Sequence, residues 1–407
     1  MPAQNSLKFY GSVTKSFHWL TAALIITLIP LGVIANGKAH QIKSGEMASD
    51  ASFVEQTAFL FSLHKTLGVT VFFVAIARIL WALSQTKPGL LNADKKLESW
   101  LAETVHYTLY ASLIVVPLSG WVHHAASSGF APIWWPFGQN LPLVPKSDTV
   151  SHIATSLHII FERVLILSIF LHVAGALKHH FIDRDNTLMR MLPGTPAVPE
   201  PDPNHKKFVP ILTAGVVYIA ALGIGSGLGM FATKPMADTA TGTQLETAAS
   251  QWQVQDGNLG ITVMQFGSAV EGQFADWTAS ISYDREAPLG PRGTVEIAIN
   301  IGSLSLGSVT DQAMGFDFFD RENHPTAIFK GDLIAVEDNH MAVGTLTLKG
   351  INMPLSFPFD LSFREDIAQA SGRFSLNRID YGIGASMPDE SSLAFGVDVR
   401  FELTAQQ

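Results

Sequence analysis

Residues 157–172 read LHIIFERVLILSIFLH, an apolar run framed by His158 and His172. The two histidines are 14 positions apart, which in an α-helix is about 21 Å of rise and, at about 100° per residue, little net rotation. Both imidazoles therefore face the same way from one rod. A bilayer core about 30 Å thick needs about 20 apolar residues in helix, and the segment 153–177 meets that length. Four other segments do the same, at 17–34, 59–83, 104–121 and 208–231. Pro117 falls inside the third span in chain order, which a membrane helix tolerates when neighbours satisfy the freed carbonyl. The first run is long and lacks a clear small-residue cleavage site, so it is expected to be a retained span rather than a signal peptide.

Composition changes sharply behind these spans. Of the 407 residues, 1–235 hold 17 Lys and Arg against 12 Asp and Glu, a net charge of +5, whereas 236–407 hold 9 against 23, a net −14. Only the second part has the acidity of a freely solvated domain, and neither part suits nucleic acid as a partner. The chain has no cysteine, which excludes disulfides, thiolate zinc sites, iron–sulfur clusters and covalent haem attachment. Histidine is left as the strong soft-metal ligand, and most of the 14 histidines lie in the apolar part.

Loop charge sets the expected orientation. One set of connecting segments carries Lys8, Lys15, Lys87, Lys95, Lys96, Lys178, Arg184, Arg190, Lys206 and Lys207, and the alternate set only Lys38, Lys43 and Lys146. The basic side favours the cytoplasm, so the N-terminus is expected inside and the acidic domain outside; taking the cell as Gram-negative, the membrane is the inner one and outside is the periplasm. Trp134 and Trp135 in the outer loop suit an interfacial belt.

Ionisable residues inside spans default to functional candidates, and depth sorts them. His18 opens the first span on the inner side, and His64 opens the second on the outer side. The fourth span supplies His158 at the outer level and His172 at the inner. Each depth thus has two histidines on different helices, which suits two stacked haems, one held by His64 and His158 and the other by His18 and His172. Iron with two imidazoles has no open coordination position and favours electron transfer over oxygen binding. His106, at the inner start of the third span, is the alternative to His18. His123, His124, His179 and His180 read as interfacial, and Glu162 with Arg163 as a salt-bridged or snorkelling pair or an anion contact near the outer haem.

These residues resemble the bacterial cytochrome b561 family. The matching segments are Ser16-Phe17-His18-Trp19, Leu63-His64-Lys65-Thr66-Leu67-Gly68, Leu157-His158, Leu171-His172, and the tail Lys178-His179-His180-Phe181 with Asp185-Asn186-Thr187-Leu188-Met189-Arg190-Met191. The resemblance covers about 5–193 and implies two haem b groups on the matching four histidines, with iron as the metal and ubiquinone as an exchange partner. Some members of that family are similar to enzymes that oxidise superoxide at the outer face. The fifth span departs from the usual four.

Behind Pro235, residues 236–250 read as a linker. Further on, Leu393, Phe395, Val397, Val399, Phe401 and Leu403 alternate with Asp398, Arg400 and Glu402, a strand with one apolar face. Phe357, Phe359, Leu361 and Phe363 repeat the pattern, and many short strands with Gly-rich turns point to a closed antiparallel barrel. This part resembles the YceI-like family on Val270-Glu271-Gly272-Gln273-Phe274, Phe316-Asp317-Phe318-Phe319-Asp320, Pro325-Thr326-Ala327-Ile328-Phe329, Gly344-Thr345-Leu346-Thr347-Leu348-Lys349-Gly350 and Asn377-Arg378-Ile379-Asp380-Tyr381-Gly382-Ile383. The resemblance implies a lipocalin-like barrel that holds an isoprenoid lipid, with Phe274, Trp277, Phe316, Phe318 and Phe329 as wall candidates. No Ser–His–Asp set, metal cluster or phosphate loop is legible there.

The expected architecture is a multidomain membrane protein: an all-α transmembrane four-helix di-haem bundle (1–193), a cytoplasmic linker and fifth transmembrane helix (194–235), a linker (236–250) and an all-β lipocalin-like antiparallel barrel (251–407). The expected function is electron transfer between an unidentified periplasmic donor and membrane quinone, with the barrel holding an isoprenoid lipid or quinone tail. The alternatives are a superoxide:ubiquinone oxidoreductase, and a membrane-anchored lipid-binding module without redox role.

Overall fold

The computed structural model describes residues 2–43, 47, 50–127, 131–203, 208–232, 245, 250–337, 339–390 and 392–407. The expected linker 236–250 lies outside these residues except at 245 and 250. The chain divides into two compact units, one of residues 1–34, 62–126 and 133–234 and the other of 35–61, 127–132 and 235–407.

Five helices are long and apolar enough to cross a membrane: α1 (Ser12–Lys43), α2 (Ala51–Leu83), α3 (Lys96–Ala126), α4 (Asp148–Lys178) and α5 (Phe208–Gly227). α1, α3 and α4 extend past their apolar runs at both ends and α2 at its start, because polar residues with good helix propensity continue each rod beyond the hydrocarbon. α4 starts at an N-cap, the Ser147 hydroxyl accepting from Val150 N at 3.4 Å, with Asp148 in the first turn facing the positive end of the helix dipole. It ends in a π-helical turn, His179–Asp183, closed by Arg184 in the left-handed region. Prolines sit inside both α1 (Pro30) and α3 (Pro117).

Ile26, Leu80, Leu167, Phe170 and Ile219 are exposed on the helices. That much apolar surface is out of place in water and suits lipid. Between helices, small and hydroxyl side chains let backbones approach. Ser112 Oγ lies 2.6 Å from Tyr218 Oη, which donates to Thr108 O at 2.9 Å. A Cβ on Gly225 would stand 2.3 Å from Ile160 Cδ1, so the glycine lets α5 press against α4 there without displacing that side chain. The fifth helix is therefore part of the packed bundle. After α4 the tail folds back on the N-terminus: buried Arg190 donates to Gly89 O at 2.9 Å, and Lys15 Nζ donates to Leu192 O and Gly194 O, each at 2.7 Å.

The second unit holds ten strands: β1 (Gln253–Gln265), β2 (Ser268–Phe274), β3 (Trp277–Tyr283), β4 (Gly290–Asn300), β5 (Leu304–Ser305), β6 (Thr326–Val336), β7 (Asn339–Leu348), β8 (Ile351–Arg364), β9 (Ile367–Asn377) and β10 (Leu393–Gln406), with a short helix α6 (Thr310–Ala313) between β5 and β6. They form one curled antiparallel sheet in the order β3-β4-β6-β7-β8-β9-β10-β1-β2-β5. The curl brings its ends together, since Trp252, beside β1, donates its backbone N–H to Ile281 O of β3 at 3.1 Å. Alternation fixes the faces: in β10, Val399 is buried while Asp398, Arg400 and Glu402 are exposed, and a one-residue slip would invert them all. Phe357 stacks on Phe374 with ring centroids 4.2 Å apart and meets Phe329 and Phe401 at 5.4 and 5.8 Å. Each such buried aromatic is worth about 1.5–3 kcal/mol.

Candidate haem sites and barrel cavity

α4 runs unbroken from Asp148 to Lys178, so His158 and His172 sit on one regular rod about 21 Å apart along its axis. The histidines expected beside them are held in two different ways.

At the level of His64 and His158 the two imidazoles are docked alike. His64 of α2 donates from Nδ1 to Leu28 O of α1 at 3.2 Å, and His158 of α4 donates from Nδ1 to Val116 O of α3 at 2.8 Å. In both cases the ring lies over a glycine one turn further along the accepting helix. A Cβ on Gly32 would stand 2.8 Å from His64 Cε1, and one on Gly120 would stand 3.0 Å from His158 Nδ1. A backbone carbonyl that takes the Nδ1 proton fixes the tautomer and leaves Nε2 as the free lone pair, the usual outer arrangement of metal-bound histidine. These residues fit an iron porphyrin. Neither glycine and neither carbonyl is marked by any pattern in the sequence.

At the other level, the His18 and His172 ring centroids are 6.1 Å apart. A metal–imidazole bond is about 2 Å and the ring centre lies roughly 1 Å further, so two imidazoles across one iron have centroids about 6 Å apart. Arg78 Nη2 approaches His18 Nδ1 at 3.5 Å, and its guanidinium lies 5.2 Å from the Tyr110 ring centre. His106 meets His172 edge to face at 4.9 Å, too close for an iron between them, and donates from Nδ1 to Ala102 O of its own helix at 2.6 Å.

The neighbouring polar groups sort as follows. His123 Nδ1 lies within 2.8 Å of Ser151 Oγ and 2.7 Å of Thr155 Oγ1. Lys65 is buried, whereas Arg163 is exposed and pairs with Glu162 at 3.6 Å. Near the end of α4, Glu98, His179 and Asp183 are spaced closely enough for a cation. Lysine occupies that position: Lys178 Nζ lies 2.6 Å from Glu98 and 2.8 Å from Asp183, and Lys95 Nζ is 3.0 Å from Asp183. The cluster is an ion-pair knot.

In the barrel an apolar cavity of about 180 Å³ runs into the sheet. Four of the five expected wall residues, Phe274, Trp277, Phe318 and Phe329, line it. Phe316 is instead 79% exposed, with Lys349 Nζ 5.8 Å from its ring. It belongs to the irregular stretch between α6 and β6, where strand alternation no longer decides the face. Arg378 also borders the cavity, and its five N–H groups are all spent on backbone carbonyls: Nε on Ala394, Nη1 on Ile383 and Gly384, and Nη2 on Met387 and Leu393.

Two stretches of the chain match known families. Residues 10–194 match the family model described as prokaryotic cytochrome b561, and 244–405 match that of the YceI-like domain. The chain is 28% identical over 193 residues to cytochrome b561 homolog 2 of Escherichia coli (strain K12), 47% of this chain and 95% of that protein. It is 26% identical over 133 residues to a probable superoxide oxidase, CybB, of Yersinia pestis, 32% of this chain and 73% of that protein. Among solved structures, Burkholderia cenocepacia BcnA aligns at 23% identity with a TM-score of 0.35, covering 37% of this chain and 96% of that one. A Campylobacter jejuni YCEI protein aligns at 18% and 0.31, covering 43% and 96%. Residues 10–194 therefore belong to the prokaryotic cytochrome b561 family, and residues 244–405 are a YceI-like domain.

Proposed function

We propose that the bundle is a di-haem electron carrier, with His64 and His158 holding one haem b and His18 and His172 the other. The observation that carries this is the matched docking of His64 and His158, each on a backbone carbonyl and over a glycine of the neighbouring helix. Two unrelated core histidines have no reason to share that device. When bound, haem supplies one-electron chemistry, and two imidazoles per iron leave no position for oxygen. The protein's part is to fix ring orientation and tautomer through Leu28 and Val116, to keep the pairs about 21 Å apart through α4, and to exclude water.

On this reading electrons pass between a periplasmic donor and membrane quinone, the N-terminus is cytoplasmic, and the barrel lies in the periplasm and takes an isoprenoid lipid or quinone tail. Its divisions are 1–193, 194–235, 236–250 and 251–407. The test is the absorbance of purified protein with haem quantified as the pyridine complex. Two b-type haems per chain, with bands that sharpen on dithionite, are expected. A chain that purifies folded and colourless refutes the reading. His158→Ala should remove one haem and leave the other.

A second reading makes superoxide the donor. Its specific support is the likeness to the probable superoxide oxidase of Yersinia pestis. Stopped-flow decay of superoxide separates the two: a quinone-dependent acceleration that His158→Ala abolishes favours oxidation of superoxide as the enzymatic step.

A further inference from the structure

The barrel cavity has two chambers. The second, lined by Trp252, Tyr283, Leu333 and Phe363, shares Ile297, Phe357, Phe401 and Leu403 with the first, so the Phe357 cluster forms a waist between them. Both chambers are apolar, yet three buried polar atoms on their walls lack a hydrogen-bond partner: Gln265 Oε1 and Gln312 Nε2 in the first, and Tyr283 Oη in the second. Gln265 is 5% exposed and sits at the end of β1, and Gln312 lies in α6. Leaving a buried amide unpaired is costly, and native proteins rarely do so without a reason.

The chemistry of the unpaired atoms describes what would satisfy them. Gln265 offers an acceptor and Gln312 a donor. The far chamber offers a single hydroxyl. Among the described residues lining the first chamber, Arg378 is the charged one. Its donors are fully committed to five carbonyls, so it has none left to grip a phosphate. An anionic head would enter an apolar chamber with no free cationic donor, and burying a charge unpaired is far more costly than burying a hydroxyl that finds two partners.

We infer that the barrel selects lipids with an uncharged head that both donates and accepts a hydrogen bond, seated between Gln265 and Gln312, with the apolar chain directed towards the Phe357 waist. This rests on the reading of the barrel as an isoprenoid holder and adds the head-group class: hydroxyl-bearing lipids are taken and phosphate-bearing ones refused.

The experiment uses the purified, delipidated full chain in detergent, offered a long-chain polyprenol, the same polyprenol as its monophosphate, and squalene, with retention read by native mass spectrometry. Wild type should keep the polyprenol about ten-fold or more over the monophosphate, and should also prefer it to squalene. The double variant Gln265→Leu, Gln312→Leu should hold squalene as well as wild type does while losing the advantage of the hydroxyl. Because these substitutions remove unpaired polar atoms at similar volume, the empty barrel should melt no earlier than wild type. Equal retention of the monophosphate, or an undiminished polyprenol preference in the double variant, overturns the inference and leaves the isoprenoid reading intact. If none of the three lipids is retained, the isoprenoid reading itself fails and the inference falls with it.

Discussion

Replacing Gly32 or Gly120 with alanine adds one methyl group directly against the imidazole of His64 or His158, the two proposed ligands of one haem. At Gly32 the new carbon would stand 2.8 Å from His64 Cε1 and 3.2 Å from Nδ1. Carbon contacts are comfortable at about 3.5–4.0 Å, so the ring must retreat by roughly 0.7–1.2 Å. Its hydrogen bond to Leu28 O is already 3.2 Å long and does not survive that movement. At Gly120 the clash with His158 is milder, at 3.0 Å. Losing such an outer partner typically weakens metal binding 10- to 100-fold, or about 1.4–2.8 kcal/mol. Helix propensity works in the opposite direction, since alanine is favoured over glycine by about 1 kcal/mol. The bundle should stay folded while one haem loosens, more so for Gly32→Ala than for Gly120→Ala. Haem transfer from each purified variant to excess apomyoglobin measures the release directly. Gly68→Ala is the matched control, because its new methyl would meet nothing within 4 Å on the helix that carries His64. If both variants release haem no faster than wild type and the control, the glycines are not cradles and the assignment of His64 and His158 loses its main support.

The other pair separates by substitution: His18→Ala and His172→Ala should each cost one haem, whereas His106→Ala should keep both, and a two-haem spectrum from His18→Ala would restore His106 as the ligand. Arg378→Met strands the carbonyls of Ile383, Gly384, Met387, Leu393 and Ala394. At about 1–3 kcal/mol for each group left unsatisfied, the barrel should lose more than about 3 kcal/mol, read as a lowered urea midpoint in pulse proteolysis; an unchanged midpoint refutes this role. Because the chain lacks cysteine, single cysteines report topology cleanly. In intact cells Asp366→Cys should react with an impermeant maleimide and Asp94→Cys should not, and the reverse pattern would invert the proposed orientation.

The helical half was legible because a span leaves a long apolar run and a helix carries its own ruler, so His158 and His172 declared their shared face from spacing alone. The docking of the rings was not legible. Gly32 and Gly120 are ordinary in membrane helices, and what singles them out is an imidazole from another helix lying over them. Pairing across helices is a tertiary fact, which is also why spacing alone left His106 as an alternative to His18, and only ring distances, 6.1 Å from His172 to His18 against 4.9 Å to His106, bear on the choice. In the barrel, alternation along β8 and β10 revealed strands but not which side faces the lumen. Phe274 and Phe329 lie on strands that line the cavity, while Phe316 sits in an irregular connection where period two has no meaning. Gln265 and Gln312 were invisible because polar residues near turns are common, and only enclosure makes their lack of partners informative.

On the proposed ligand assignment, carrying both His158 and His172 on α4 makes the distance between the two haems a property of one covalent rod. Helix–helix slippage, bilayer thinning or a change of tilt can move neighbouring ligands but cannot lengthen that segment. The interval also admits only coarse editing. A single inserted residue would swing one imidazole by about 100° away from its partner, whereas a seven-residue insertion would return it to nearly the same face with the centres roughly 10 Å further apart. Tunnelling distance in such a bundle can therefore drift only in helical steps, so fine adjustment of the transfer rate is left to the groups around each haem.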